Sequence, residues 1–234
     1  MVEVIKQNTH PSWHNILIDA YYQLDTNYQA FLKGGNYLPT NNRLFNAFAM
    51  PKDEVKYILF GQDPYPREAS AIGVAFIDGA VKEIFSQNGL SKEVNRATSL
   101  RNFIKMALLA QGLIKDTTQK EIAKVDKSNL INSIFELKDN FEKNGVMLLN
   151  AALIFEDKSK TKYHAKMWQP FIKYILKNIS EDIELILFGN FAKDIIKRFN
   201  PKQKAIFLEH PYNTSFITNS NAHKLFAPMK LLLR

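Results

Sequence analysis

The stretch KYILFGQDPYP, residues 56–66, decides the fold. Its first five residues, Lys56 to Phe60, are apolar almost throughout rather than alternating, the pattern of a strand covered on both faces. Gly61 and a polar, proline-bearing turn end it at once. Three further strand-length apolar runs follow, at 146–149 (VMLL), 184–188 (ELILF) and 205–208 (AIFL). Helical periodicity fills the spaces around them. An amphipathic helix is expected over 11–31 after Pro11, and a turn-rich loop over 33–43. Residues 99–111 should begin at Ser99 as N-cap, and residues 132–143 should stop at Asn144-Gly145. Residues 165–179 carry Pro170, which should kink or divide that helix. Residues 191–199 follow Gly189-Asn190, and 222–233 are interrupted by Pro228. Strands alternating with helices predict an α/β fold with a central, mostly parallel four-stranded sheet flanked by helices. A length of 234 residues suits one domain spanning 1–234.

In such a sheet, ligands bind beyond the carboxyl ends of the strands. The residues there are Gly61-Gln62-Asp63-Pro64-Tyr65-Pro66, then Asn150, then Gly189-Asn190, then His210-Pro211. Each alone has an ordinary reading: Asp63 as a turn cap, Asn150 as a helix cap, His210 as a loop histidine. Their common position at strand ends favours a shared site.

Composition narrows the chemistry. The formal net charge is +8, with 31 Lys and Arg against 23 Asp and Glu, a balance suited to a polyanionic partner. Cysteine is absent, which excludes disulfides, thiolate nucleophiles, iron–sulfur clusters and cysteine zinc sites. His10 and His14 stand four apart, but Pro11 lies between them and no acidic partner is near, so no metal site and no cofactor are expected. The opening MVEVIKQNTHPSW has no apolar stretch and no window reaches membrane-span length, so the expected compartment is the cytoplasm.

ILFGQDPYP (58–66) followed by GVAF (73–76) resembles the water-activating motif of family 1 uracil-DNA glycosylases and the phenylalanine segment after it. SLRN (99–102), GVMLLNAAL (145–153), YHAKMW (163–168), LILFGN (185–190) and EHPYNTS (209–215) are similar to further segments of that family, in its order. The resemblance covers about residues 50–230. It implies a monofunctional glycosylase that hydrolyses the bond between sugar and uracil in a base rotated out of DNA, leaving an abasic site for base excision repair. Breaking that bond builds positive charge on the sugar and negative charge on the base. Asp63 then stabilises the cation and orients water, while His210, as a neutral imidazole, donates to the base. The resemblance further implies that Asn150 reads the uracil edge and that Tyr65 excludes the thymine methyl. Phe76 stacks on the base, and the Gln62 backbone lines the pocket. Pro66, Ser99, Gly189, Asn190, Tyr212, Thr214, Ser215 and Phe216 are the expected DNA contacts, with Arg101, Lys105 and Lys224 adding charge. The partner is uracil-containing DNA, single- or double-stranded. No obligate protein partner is expected, and a monomer is the default.

The chain departs from the family pattern at several places. Pro66 stands where the family has histidine, and PREASA (66–71) lacks the family's loop glycines. The His-Pro loop reads HPYNTSF, with Thr214 at the position of a leucine wedge, so Tyr212 or Phe216 is expected to enter the base step instead. His164 lies four residues before Trp168, one fewer than is common. These departures keep two alternatives open. One is a glycosylase for another modified pyrimidine; the other is a non-catalytic DNA-binding or processivity module on the same fold.

Overall fold

The computed structural model describes residues 1–40 and 42–234. The chain divides into two compact units, Met1–Asp78 with Gly145–Ile206, and Gly79–Asn144 with Phe207–Arg234. The described residues form six strands: β1 (Tyr57–Gly61), β2 (Phe85–Ser86), β3 (Gly89–Leu90), β4 (Val146–Asn150), β5 (Glu184–Phe188) and β6 (Ala205–Leu208). The main sheet has the order β4-β1-β5-β6. β1 runs parallel to both β4 and β5. This is the expected α/β architecture, and all four predicted strands form within a residue of their expected limits.

Three of the four apolar runs are covered by the rest of the chain. All five residues of β4 are buried, as are Ile58–Phe60 of β1 and Leu185–Phe188 of β5. β4 and β6 are the two edges of the sheet, and only β4 is covered; the apolar run of β6 is not covered on both faces as expected, with Phe207 57% exposed. Around the sheet, Trp13, Phe48, Trp168 and Phe171 interlock edge-to-face, with centroids 5.2 Å apart for Trp13–Phe48 and 5.0 Å for Trp168–Phe171. The Trp13 indole N–H donates to the Met50 carbonyl at 2.9 Å, so its one polar atom is satisfied in the core.

One helix expectation changes and another holds. The helix foreseen over 11–31 is a 3-10 turn, Pro11–Trp13, then His14–Tyr22, then a separate helix Thr26–Gly34. Asp25 causes the break: its carboxylate accepts from the N–H groups of Asn27 and Tyr28, capping a new helix rather than continuing the old one. The helix foreseen over 165–179 is divided as expected, into Thr161–Met167 and Gln169–Lys177, with Pro170 in the first turn of the second.

The second unit is built on the helices Thr98–Ala110 and Ile134–Lys143. Ser133 and Glu136 form a reciprocal capping box that starts the latter. Phe103 packs on Phe141, Phe216 and Phe226 at 5.7, 6.2 and 5.0 Å. The carboxyl-terminal segment is tied down by Asn140, whose amide donates to the carbonyls of Leu231 and Leu233 at 3.0 and 2.7 Å.

Candidate active site

β1 and β4 end side by side, with Gly61 opposite Asn150. The pairing continues past the strands: Ala151 N–H donates to the Gly61 carbonyl at 2.9 Å, and Ala152 N–H to the Gln62 carbonyl at 3.0 Å. The loop that carries Asp63 is therefore pinned to the loop after Asn150. Residue 61 has no room for a side chain, because a Cβ there would stand 2.3 Å from Asn150 Oδ1 and 2.8 Å from the Ala75 Cβ. Asn150, 6% exposed, thus lies flat against the β1 backbone.

The segment 73–76 is locked onto the same strand, since Ala75 N–H donates to the Leu148 carbonyl at 3.0 Å. Gly73, at φ +83°, passes so close to the Arg43 carbonyl that a Cβ would overlap it at 1.8 Å. Phe76 has φ +69°, and Ile77 N–H donates across it to the Ala75 carbonyl at 2.8 Å. Phe76 is thus the centre of a γ-turn of the rare, strained sense. Left-handed backbone at a bulky residue costs about 1–3 kcal/mol and persists only where the surroundings hold it. The Tyr65 hydroxyl does so by donating to the Phe76 carbonyl at 3.2 Å, and the Phe76 ring meets Phe188 at 6.2 Å. Burial, reinforced by the Asp78 charge, pushes the Tyr65 phenol up to about 12, so it remains a neutral donor. Asp78 is itself paired with Arg67 at 3.1 Å.

Asp63 is half-buried, and burial raises its carboxyl above the ordinary range. A hydrogen bond from Thr161 opposes that rise by favouring the ionised form. Thr161 opens the helix Thr161–Met167 and went unnoticed in the sequence, where nothing links it to residue 63. Gln62 is exposed beside a cavity of about 590 Å³, whose wall includes Thr161, Lys162, Lys166 and Phe191. Gly189, at φ +58°, and exposed Asn190 lie between β5 and the helix Phe191–Phe199. Pro66 is exposed in the turn after Tyr65.

His210 belongs to the second unit. Its Nδ1 accepts the Tyr212 backbone N–H at 3.0 Å. A backbone amide can only donate, so Nδ1 bears the lone pair and the neutral ring carries its proton on Nε2. Burial of part of the ring lowers its pKa, which favours that neutral form. The loop is held from below by Asn102, which is 1% exposed and donates to the carbonyls of Pro211 and Tyr212 at 2.8 and 3.2 Å. In the sequence Asn102 stands out only as part of the SLRN segment. The signal that could have found it is an amide among the buried positions of the helix, beside Phe103 and Met106.

The expected DNA contacts divide sharply. Tyr212 is 66% exposed, and Thr214 is also exposed. Phe216 is fully buried and stacks on Phe103, so it does not serve as a wedge or a DNA contact. Removing it from the core would forfeit its packing. Ser215 donates to Glu209 Oε1 at 2.5 Å, tying the loop to itself. Ser99 is not an N-cap, because the helix starts at Thr98 and Ser99 sits inside its first turn. His164 is buried on a helix, bonded to Tyr28 at 2.8 Å and to Glu156 at 3.2 Å, a structural pair rather than a loop residue. Among the described residues, no group of three or more His, Asp or Glu could hold a metal ion, and no helix is long and apolar enough to cross a membrane.

No family model matches the chain. Among curated proteins, it is 29% identical over 201 residues to the uracil-DNA glycosylase of Campylobacter fetus, covering 82% of this chain and 74% of that one. It is 30% identical over 183 residues to the uracil-DNA glycosylase of Lactococcus lactis, covering 76% and 70%. Among solved structures, the wild-type UNG crystal structure from Nitratifractor salsuginis superposes with a TM-score of 0.95 at 48% identity, over 99% of this chain and 96% of that one. The mimivirus uracil-DNA glycosylase, 19% identical, shares the fold with a TM-score of 0.56, over 88% and 71%.

Proposed function

The chain belongs to the uracil-DNA glycosylase family, and we infer from that premise that it is a hydrolase which excises uracil from DNA in base excision repair. We assign it to the family 1 type on its GQDPY motif, with Pro66 in place of the family's histidine.

Water adds to C1′ while the C1′–N1 bond breaks, and uracil leaves as an anion that is then protonated. Asp63 stabilises the cationic sugar and orients the water, and His210 donates Nε2–H toward the departing base. Asn150 reads the uracil edge, Tyr65 blocks a 5-methyl group, Phe76 stacks on the base and the Gln62 backbone lines the pocket. Pro66, Ser99, Gly189, Asn190, Tyr212, Thr214 and Ser215 grip the strand, with Tyr212 as the residue that enters the base step. The two compact units work as one glycosylase domain over 1–234. The protein acts in the cytoplasm as a monomer, on single- or double-stranded DNA, without cofactor or obligate protein partner.

One observation carries this reading. The register of Gly61 with Asn150 brings the Asp63 loop, the amide and the Phe76 γ-turn to the same strand ends. A turn strained at Phe76 and a glycine forced at 61 are costs that a merely structural sheet end has no reason to bear. The altered loop around Thr214 leaves this group of residues untouched.

The test is incubation with single-uracil DNA followed by alkaline cleavage of abasic sites. Uracil release that falls by about 10²–10⁴-fold in Asp63→Asn is expected for loss of a positioned carboxylate. DNA binding without release in the unaltered protein would replace this reading with a binding module.

A further inference from the structure

We propose that the recess lined by Arg101, Lys105, Thr117 and Thr214 seats one phosphodiester of the DNA strand. The inference rests on the glycosylase reading and adds a binding site to it.

The recess has a volume of about 530 Å³ and lies wholly within the second unit. Arg101 and Lys105 stand four residues apart on the helix Thr98–Ala110, so both side chains leave the same face. Like charges at that spacing weaken a helix. Among the described residues, no carboxylate lines the recess to offset them. The Arg101 guanidinium is aimed by one bond, from Nη1 to the Asn95 carbonyl at 2.8 Å. That bond uses one of its five N–H donors. Lys105 forms no ion pair or hydrogen bond among the described residues, and burial together with the Arg101 charge depresses its pKa. A bound anion would relieve both effects.

The other walls supply hydroxyl donors from Thr117 and Thr214. Two cations, the hydroxyls of Thr117 and Thr214, and a third threonine, Thr218, whose hydroxyl already donates to the Ser215 carbonyl, with no carboxylate, form a receptor for a tetrahedral oxyanion rather than for a metal or an apolar group. The link to DNA comes from connectivity. Thr214 is four residues beyond His210, and Asn102, next to Arg101, pins Pro211 and Tyr212. A phosphate held here would fix the helix that positions the imidazole loop. Phosphate contacts position a protein on DNA without reading sequence, which is the role this recess would have.

The experiment measures binding of a fluorescein-labelled, uracil-free single strand by anisotropy across a salt series. Neutralising one phosphate contact lowers the salt slope by about 0.7 on single strands. Lys105→Gln should therefore bind several-fold more weakly at low salt with a slope shallower by about 0.7, and Lys105→Arg should restore both. Arg101→Gln with Lys105→Gln should lose about 1.4. Lys105→Gln keeps the test decisive if the double variant fails to fold. Wild-type affinity and slope in Lys105→Gln would overturn the proposal. Binding of inorganic phosphate that Lys105→Gln removes, with DNA binding unchanged, would also overturn it, making this a free-anion site. Uracil release by the unaltered protein is assayed alongside. Release with an unchanged slope in Lys105→Gln removes only this seat, whereas absence of both release and DNA binding removes the glycosylase reading itself.

Discussion

Gly61 and Asn150 face each other across β1 and β4 with no space for a single added carbon, since a Cβ at 61 would lie 2.3 Å from the Asn150 amide oxygen. Asn150 is buried in a β-strand flanked by Ala75, so the amide can yield only by rotating or by moving its strand. Gly61→Ala should therefore cost about 1–3 kcal/mol of stability, as overpacking does. It should also lower uracil release more than it lowers DNA binding, because the displaced group reads the base and not the backbone. Thermal unfolding together with release and anisotropy measurements checks this. Unaltered release in a stable Gly61→Ala protein would show that the amide has no role.

Phe76 sits at φ +69°, where glycine is at ease and alanine is not. Phe76→Gly and Phe76→Ala both remove the ring, so both should lose a base-stacking contact worth about 1–3 kcal/mol. They should differ in stability. The glycine variant should be the more stable by about 1 kcal/mol, opposite to the usual order of the two residues. Denaturant titration of the pair decides it.

Asp63 must be ionised to stabilise a cationic sugar. Its pKa is raised by burial and held back by Thr161, so activity is lost as pH falls through the folded-state value. Thr161→Val removes the bond that favours the carboxylate. The acidic limb of kcat/KM should then move to higher pH, while the activity plateau above it is largely kept and Thr161→Ser restores the original limb. A limb unmoved in Thr161→Val would remove Thr161 from any positioning role.

Tyr212 and Phe216 are four residues apart, yet one projects into solvent and the other is enclosed. Phe216→Ala should destabilise the protein by about 3–5 kcal/mol, the range for deleting a core phenylalanine. Tyr212→Ala should leave the unfolding midpoint near the original and reduce release from duplex more than from single-stranded uracil DNA. The reverse pattern would identify Phe216 as the inserted residue.

Much of this molecule was legible along the chain. The four apolar runs were each long enough for a strand and too short for a helix. Glycine, proline and Asn-Gly marked where they stopped, so the α/β layering and the residues at the strand ends followed from local pattern. The GQDPY string brought Asp63 and Tyr65 into view without any coordinates. What was not legible was contact between residues distant in sequence. Thr161, 98 positions from Asp63, bears on the ionisation of that carboxyl, and Asn102 reaches a loop 109 positions away. Periodicity carries no information about such partners, because it reports which face is apolar and not what that face meets.

The loop 210–216 shows the division most clearly. Sequence made Tyr212 and Phe216 equivalent, two aromatic side chains near a missing leucine. Tertiary packing separated them: a 3-10 turn over Thr214–Thr218 directs Phe216 onto Phe103, while a bond from Asn102 to the Tyr212 carbonyl and one from the Tyr212 N–H to His210 hold the Tyr212 backbone with its ring outward. The order of elements and the chemistry of the strand ends were set by the residues themselves. Which aromatic is buried, which glycine is forced and which hydroxyl supports the carboxylate were set by close approach in three dimensions, where a few tenths of an ångström decide whether a side chain fits.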